Sequence, residues 1–394
     1  LHWMVHFSLH DALPISVVCV HRLALHYLPG WRAVLAALLV ALHPGLILYS
    51  ALVMTEPLAA FIAVLWLYVL SLAHRSATQR GRTGRRELWG WWALAGVVLG
   101  LGALVRPAYL IAAPLVLLFV GRSWRPALMR TAVVALCTVL PILPWTLRNC
   151  ARMDGCALIS TNGGWNLAIG AITQSGRFET LHASDGCRVV TGQVQQDRCW
   201  SEVGMRRIVT APRAWLAKAP HKLEQLWNHE SFPVEYLREA DPVSWPEARR
   251  VAARELLTDC HRFLVVVAGL GALSVPWPKR RRWWATSSQA LLLLLWAVLS
   301  YRAFQLDEHP VWLVAFVFPL LALLPLPGRP RWGVTASGVA ALITTVSLTH
   351  ILFFGEDRYH MVVSPLLALM AAAALRWPAL SSNASGSARA LRAR

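Results

Sequence analysis

Residues 141–170 read PILPWTLRNCARMDGCALISTNGGWNLAIG. An apolar helical pattern runs into Pro144-Trp145, meets Arg148-Asn149, and gives way to a loop rich in glycine and asparagine. A purely structural membrane segment has no need for so much polar, backbone-exposing sequence just outside the bilayer. A site for a charged, hydroxyl-rich ligand does. This reading places the chemistry at the membrane surface and orients the rest of the chain around it.

The 394 residues are 56% hydrophobic, with a mean hydropathy of +0.48. That is the composition of a polytopic membrane protein. Apolar runs suited to a hydrocarbon layer about 30 Å thick fall near 33–54, 57–73, 90–105, 108–120, 131–147, 261–277, 285–302, 311–326, 333–354 and 361–376. Several are shorter than a full span, and 15–29 reads as the remaining piece of an earlier helix. The fold class expected is therefore all-α and polytopic, with about ten to eleven transmembrane helices and a central extracytoplasmic mixed domain.

The net charge of +18 raises the question of nucleic acid. Its position argues against that partner. The segment 148–262 is nearly balanced, and the excess sits in short connections and the tail. These hold Arg75, Arg80, Arg82, Arg85 and Arg86; Arg122, Arg125 and Arg130; Lys279 to Arg282; Arg329 and Arg331; and Arg376, Arg389, Arg392 and Arg394. Every second connection is basic, as the positive-inside rule requires. The basic loops are then cytoplasmic, while 148–260, 303–310 and 355–360 face outside. Attraction to anionic membrane lipid accounts for the charge.

Five of the seven cysteines (Cys150, Cys156, Cys187, Cys199, Cys260) lie in the outside segment, which suits an oxidising compartment. Cys187 with Cys199, and Cys150 with Cys156, are candidate local bridges, but the odd count leaves connectivity open. No CxxC spacing is present, no metal ligands are assigned, and a divalent cation stays undetermined.

Five blocks follow. Residues 1–14 are a non-native or unassigned N-terminus, because they form neither a signal peptide nor a span and Ser8 to Ser16 (SLHDALPIS) has the look of a translated linker. Residues 15–147 form an N-terminal transmembrane bundle, 148–260 an extracytoplasmic domain, 261–376 a C-terminal bundle, and 377–394 a disordered cytoplasmic tail. Within the outside domain, 200–228 reads as two amphipathic helices broken at Pro212 and Pro220. Trp215, Leu216, Leu223, Leu226 and Trp227 can face the membrane there, with Lys218 and Lys222 near headgroups. Trp89, Trp91, Trp92, Trp283 and Trp284 read as interfacial anchors.

Polar residues at the outer ends of the spans are the candidates for chemistry. Glu56 stands just before Pro57, and a carboxylate beside hydrocarbon calls for a cavity or a partner. Arg106-Pro107 lies at another outer turn, and its anionic partner is either a lipid phosphate or Glu56. Arg148 repeats that situation and, with Asn149, suggests a phosphate clamp. Asn162-Gly163-Gly164 and Asn166, ending at Gly170, form a turn-rich loop whose amides suit sugar hydroxyls and whose glycines let a ligand approach the backbone. Gly355 to His360 is an outside hairpin offering Arg358 with Tyr359. Asp307-Glu308-His309 is a further acidic cluster, most simply solvated.

Thr55-Glu56-Pro57, Arg106-Pro107, Pro144-Trp145, Arg148-Asn149, Ser160 to Gly170, Pro212 to Leu216, Lys222 to Trp227, Arg358-Tyr359 and Pro365 occur in order along 17–376. This ordered set resembles the GT-C superfamily of membrane glycosyltransferases, especially the bacterial relatives of protein O-mannosyltransferases and of the lipid A aminoarabinose transferase. The resemblance implies a multi-pass protein of the bacterial inner (plasma) membrane. It would move a sugar, with inversion, from a polyprenyl-phosphate donor to a lipid, glycan or protein acceptor on the extracytoplasmic face. It implies an auxiliary role for Glu56 in the catalytic cavity. Arg106, Arg148, Asn149, Asn162, Asn166, Arg358 and Tyr359 become candidates for substrate binding. The family's first helix and acid-bearing loop have no counterpart in the matching stretch, so the main acidic base is expected to be missing.

A transporter or flippase of a lipid-linked saccharide is the alternative. It predicts polar residues in mid-span and an internal repeat, whereas here the polar residues gather at outer ends. An O-antigen-ligase-like enzyme shares the chemistry but places its large outside segment late in the chain; here that segment is central.

Overall fold

The computed structural model describes residues 2–52, 54–78, 85–118, 124–188, 192–273, 283–305, 310–323 and 334–375. Most of the predicted basic loops, Asp307 to His309 and the tail from Arg376 lie outside the described residues. In chain order the helices are α1 (His2–Ala24), α2 (Gly30–Ala41), α3 (Pro44–Ala51), α4 (Thr55–Thr78), α5 (Arg85–Val105), α6 (Tyr109–Leu115) and α7 (Trp124–Arg152). A layer of shorter helices follows: α8 (Gly163–Ile172), α9 (Gln193–Thr210), α10 (Pro212–Ala217), α11 (Ala219–Trp227) and α12 (Phe232–Ala240). Long helices return as α13 (Glu247–Leu273), α14 (Trp283–Gln305), α15 (Val311–Leu323), α16 (Val334–Leu352) and α17 (Ser364–Ala374), the last preceded by a 3-10 turn, Asp357–Val363.

The chain is an all-α polytopic membrane protein. α4, α7, α13 and α16 are each long and apolar enough to cross a membrane alone. α2 and α3, bent by 48° at their junction, are together long and apolar enough for a fifth, and shorter apolar helices occupy 89–105, 109–118, 289–305 and 311–321. The span expected near 33–54 is divided between these two helices. Pro44 has no N–H to donate and holds His43 in an extended conformation (φ −67°, ψ 112°). α1 also begins well before residue 15, where only a remnant was expected. The expected mixed central domain is helical, without a strand among the described residues. Its sequence has proline-started amphipathic segments rather than alternating β-branched runs, and Pro212, Pro220 and Pro233 each sit in the first turn of a helix.

The two helical blocks fold into one core. α2 and α13 both pack on α17, and α4 packs on α16 and on the 3-10 turn. α5 lies against α7 through Gly96 and Gly100, where an added Cβ would come within 2.4 Å of the Val134 carbonyl and 2.2 Å of the Thr138 carbonyl. Small residues four apart allow this approach between apolar helices. Trp92, expected at an interface, is fully buried in this core. Large apolar side chains along α7 and α14, Leu136, Leu140, Leu291 and Leu294 among them, stay exposed, an arrangement that suits lipid rather than water.

Disulfides join Cys150 to Cys156 and Cys187 to Cys199, while Cys260 is free. The second bridge belongs to a small core of Ala168, Ile169, Leu181, Trp200 and Phe354 under the short helices. The breaks expected at Pro212 and Pro220 are present. The headgroup role of Lys222 is not: it is fully buried, donating to the Ile351 carbonyl (2.9 Å) at the end of α16. Lys218 does the same at the end of α8, to Ala171 (2.9 Å). Carbonyls left without an intrahelical partner at these helix ends accept the lysine N–H groups. Leu223, Leu226 and Trp227 follow them into the core.

Candidate functional site

α4 and α5 are neighbours, and the start of one meets the end of the other. Thr55-Glu56-Pro57 opens α4, with the acid in its first turn, where the helix dipole favours negative charge. Arg106 follows the last residue of α5, and Pro107 keeps that helix from continuing. Arg106 forms an ion pair with Glu56 and donates to Thr55 Oγ1 (3.0 Å). Of the two partners expected for Arg106, this is the protein one. Glu56 is fully buried, whereas the Arg106 side chain keeps 24% of its surface exposed. The guanidinium can still meet a ligand.

The other arginine comes from the far end of the chain. Gly355 to His360, expected as an outside hairpin between the last two spans, leads into the largely buried 3-10 turn between α16 and α17. Arg358 pairs with Glu356 (2.9 Å) and donates to Tyr236 Oη (3.0 Å) and Tyr359 Oη (2.8 Å). Burial opposes its charge, but Tyr359, Glu356 and Tyr236 together raise its pKa above the ordinary arginine value. Burial raises the Glu356 pKa, and Arg358 limits that rise. The Tyr359 ring lies under both arginines, 5.3 Å from Arg106 and 4.8 Å from Arg358. Its other neighbour is His350, stacked at 4.4 Å.

The segment after α7 is tied down along that helix. Trp145 Nε1 donates to the Ile159 carbonyl (2.8 Å) and Thr146 Oγ1 to Leu158 (2.7 Å). Asn149 is buried, its amide donating to the carbonyls of Ala157 (3.2 Å) and Ile159 (3.3 Å). These bonds set Ser160, Asn162 and Gly163 at the mouth of a cavity. From Gly163 onward, the loop expected over 162–170 is instead the greater part of α8. Asp197 accepts from Gly164 N (2.7 Å) and caps it. The glycines serve packing: a Cβ on Gly164 would lie 1.9 Å from the Asp197 carbonyl, and one on Gly170 1.9 Å from the Phe353 carbonyl.

Together these elements enclose a cavity of about 960 Å³. Thr55, Glu56, Arg106, Ser160, Asn162, Asn166, His350, Arg358 and Tyr359 supply its polar wall. Leu104, Leu110, Leu342, Val346 and Val362 supply an apolar one. The candidates Glu56, Arg106, Asn162, Asn166, Arg358 and Tyr359 are thereby brought together from four distant stretches. Arg148 and Asn149 are not. Arg148 is exposed, covers the Trp145 ring at 5.0 Å and donates to Asn149 Oδ1 (3.1 Å), and Asn149 is spent on backbone carbonyls. His350, Phe178 and Tyr236 were not singled out from sequence. A single histidine or aromatic near a span end carries no pattern of its own.

Residues 12–153 match the family of dolichyl-phosphate-mannose-protein mannosyltransferases. The match spans a little over a third of the chain; Glu56 and Arg106 of the cavity fall within it, while Asn162, Asn166, Arg358 and Tyr359 lie beyond it. No curated protein and no solved structure matches the chain.

Proposed function

We propose that this GT-C protein transfers a sugar from a polyprenyl-phosphate donor to an acceptor at the extracytoplasmic surface of a bacterial inner membrane. The observation that supports this most is the pair of arginines, Arg106 and Arg358, on either side of Tyr359 at the polar end of a cavity whose other wall is apolar. An isoprenoid phosphate has the same division. Its chain would lie along Leu104, Leu110, Leu342 and Val346, its phosphate between the guanidiniums, and its sugar toward Asn162 and Asn166. The acceptor is a hydroxyl-bearing lipid, glycan or protein.

In the proposed step the acceptor oxygen bonds to the anomeric carbon from the face opposite the phosphate. The carbon–oxygen bond to the phosphate breaks with its electron pair, inverting the centre, and the acceptor proton passes to solvent water in the cavity. Charge developing on the departing phosphate is met by fixed cations, the usual source of such catalysis. Glu56 is auxiliary: tied to Arg106 and Thr55, it aims the guanidinium rather than taking the proton.

Transfer to acceptors from a labelled polyprenyl-phosphate sugar, in membranes holding the protein, tests the proposal. A glycosylated product that disappears in Arg358→Ala supports it. Movement of the labelled lipid between leaflets without any product would replace it with the flippase reading.

A further inference from the structure

We propose that Glu230, His261 and His360 form a binding site for one divalent cation of the zinc type, behind the cavity and separate from its wall. The three residues come from the α11–α12 connection, from α13 and from the 3-10 turn. All three are buried to within 1% of complete, and one ligand atom from each lies within 4.8 Å of the others.

The hydrogen bonds fix which atoms point inward. His261 Nε2 donates to the Trp227 carbonyl (2.9 Å), leaving Nδ1 as a lone pair with no partner. His360 Nδ1 donates to the Leu226 carbonyl (2.8 Å), leaving Nε2 in the same condition. A histidine whose one nitrogen is held by a backbone carbonyl presents the other as a metal ligand. Neither carboxylate oxygen of Glu230 has a hydrogen-bond partner, and Oε2 stands 3.5 Å from His360 Nε2. Unpaired polar atoms in such a position carry a cost that a ligand removes.

The surroundings are built for the carboxylate. A Cβ on Gly45 would lie 1.7 Å from Glu230 Oε1, so any larger residue there would displace the carboxylate from its present position. Glu230 N donates to Thr258 Oγ1 (3.2 Å), one helical turn before His261. The His261 and His360 rings stack at 3.8 Å, with Trp227 alongside both. His43 is buried nearby and takes Leu46 N on Nδ1, which leaves an Nε2–H with no partner; it is the outer group that would bond a ligating carboxylate.

Two imidazoles and one carboxylate are a zinc donor set with an open fourth position. An ion there would clamp α13 and the α11–α12 connection to the turn that carries Arg358 and Tyr359. The site stands on its own atoms and does not depend on the transferase reading.

The test is metal content of the full chain, purified in detergent, stripped with chelator and titrated with Zn²⁺ alone. About one tightly held zinc per chain is expected, with a rise in unfolding temperature on binding. Glu230→Gln, chosen because it keeps shape, and His360→Gln should each weaken retention at least about tenfold. X-ray absorption should show nitrogen and oxygen neighbours and no sulfur. Wild-type chain that takes up no zinc overturns the proposal, as does retention unchanged in both variants or a sulfur ligand from Cys260. A proton shared between Glu230 and His360 would then explain the cluster.

Discussion

At the scale of single residues, Lys222 carries the clearest pH signature. Burial, with a smaller push from Lys218, lowers its pKa from 10.5 to about 7. Between those values the unfolded chain holds the proton more firmly than the folded one, so stability rises as pH climbs through that window. Below it the full cost of burying the charge is present. Thermal unfolding followed from pH 7 to 10 should show this rise, and Lys222→Met should flatten it; an identical slope in the variant would move the effect elsewhere. Arg358 offers a second prediction. Arg358→Lys keeps a charge but loses hydrogen bonds worth about 1.5–3 kcal/mol each when one partner is ionised. Donor KM should rise about tenfold or more, while Arg148→Ala, off the cavity, should leave it unchanged. Steady-state kinetics over donor concentration separates the two. These residues also show what sequence could reveal. Glu56 and Arg106 were visible because a lone charge at a span end needs an opposite. Arg148 met the same criterion, and only three-dimensional packing shows that its neighbour Asn149 is spent on the Ala157 and Ile159 carbonyls. Glu230, His261 and His360 were invisible. They belong to separate segments, and no local spacing joins them.

At the scale of elements, close approach of backbones is the recurring device. Gly100→Leu would drive a side chain into the Thr138 carbonyl, and overpacking of that kind costs about 1–3 kcal/mol. The unfolding temperature in detergent should fall accordingly, with no change in the disulfides. Asp197→Ala removes the cap on α8, a loss of about 1 kcal/mol, and should increase amide exchange in 163–167 before the rest of the layer. Apolar length located nearly every long helix, because hydrocarbon imposes the same requirement on each. It could not foresee the bend at Pro44, since a proline's effect depends on whether neighbouring helices tolerate a gap in the ladder. The glycines of 163–170 misled for a related reason. Glycine permits any close neighbour, and the neighbour here is a helix.

At the scale of the whole molecule, the charge pattern predicts an orientation that puts the layer of short helices outside. Val243 is 90% exposed in that layer. Val243→Cys should react with a membrane-impermeant maleimide applied to the outer face of the inner membrane. Labelling only after that membrane is broken would reverse the orientation. Two bridged cysteine pairs on the same side agree with an oxidising exterior. Composition and charge pattern spoke to this level directly. The single core shared by both helical blocks did not, because it depends on which faces meet across more than two hundred residues.

The two cavity arginines are already answered by Glu56 and Glu356. A site neutralised from within holds its phosphate less firmly than two bare cations would. In the proposed cycle, the spent carrier leaves with more negative charge than it brought and meets carboxylates that reclaim the guanidiniums. In that proposed cycle the internal acids would act on turnover, keeping the discarded lipid from occupying the cavity.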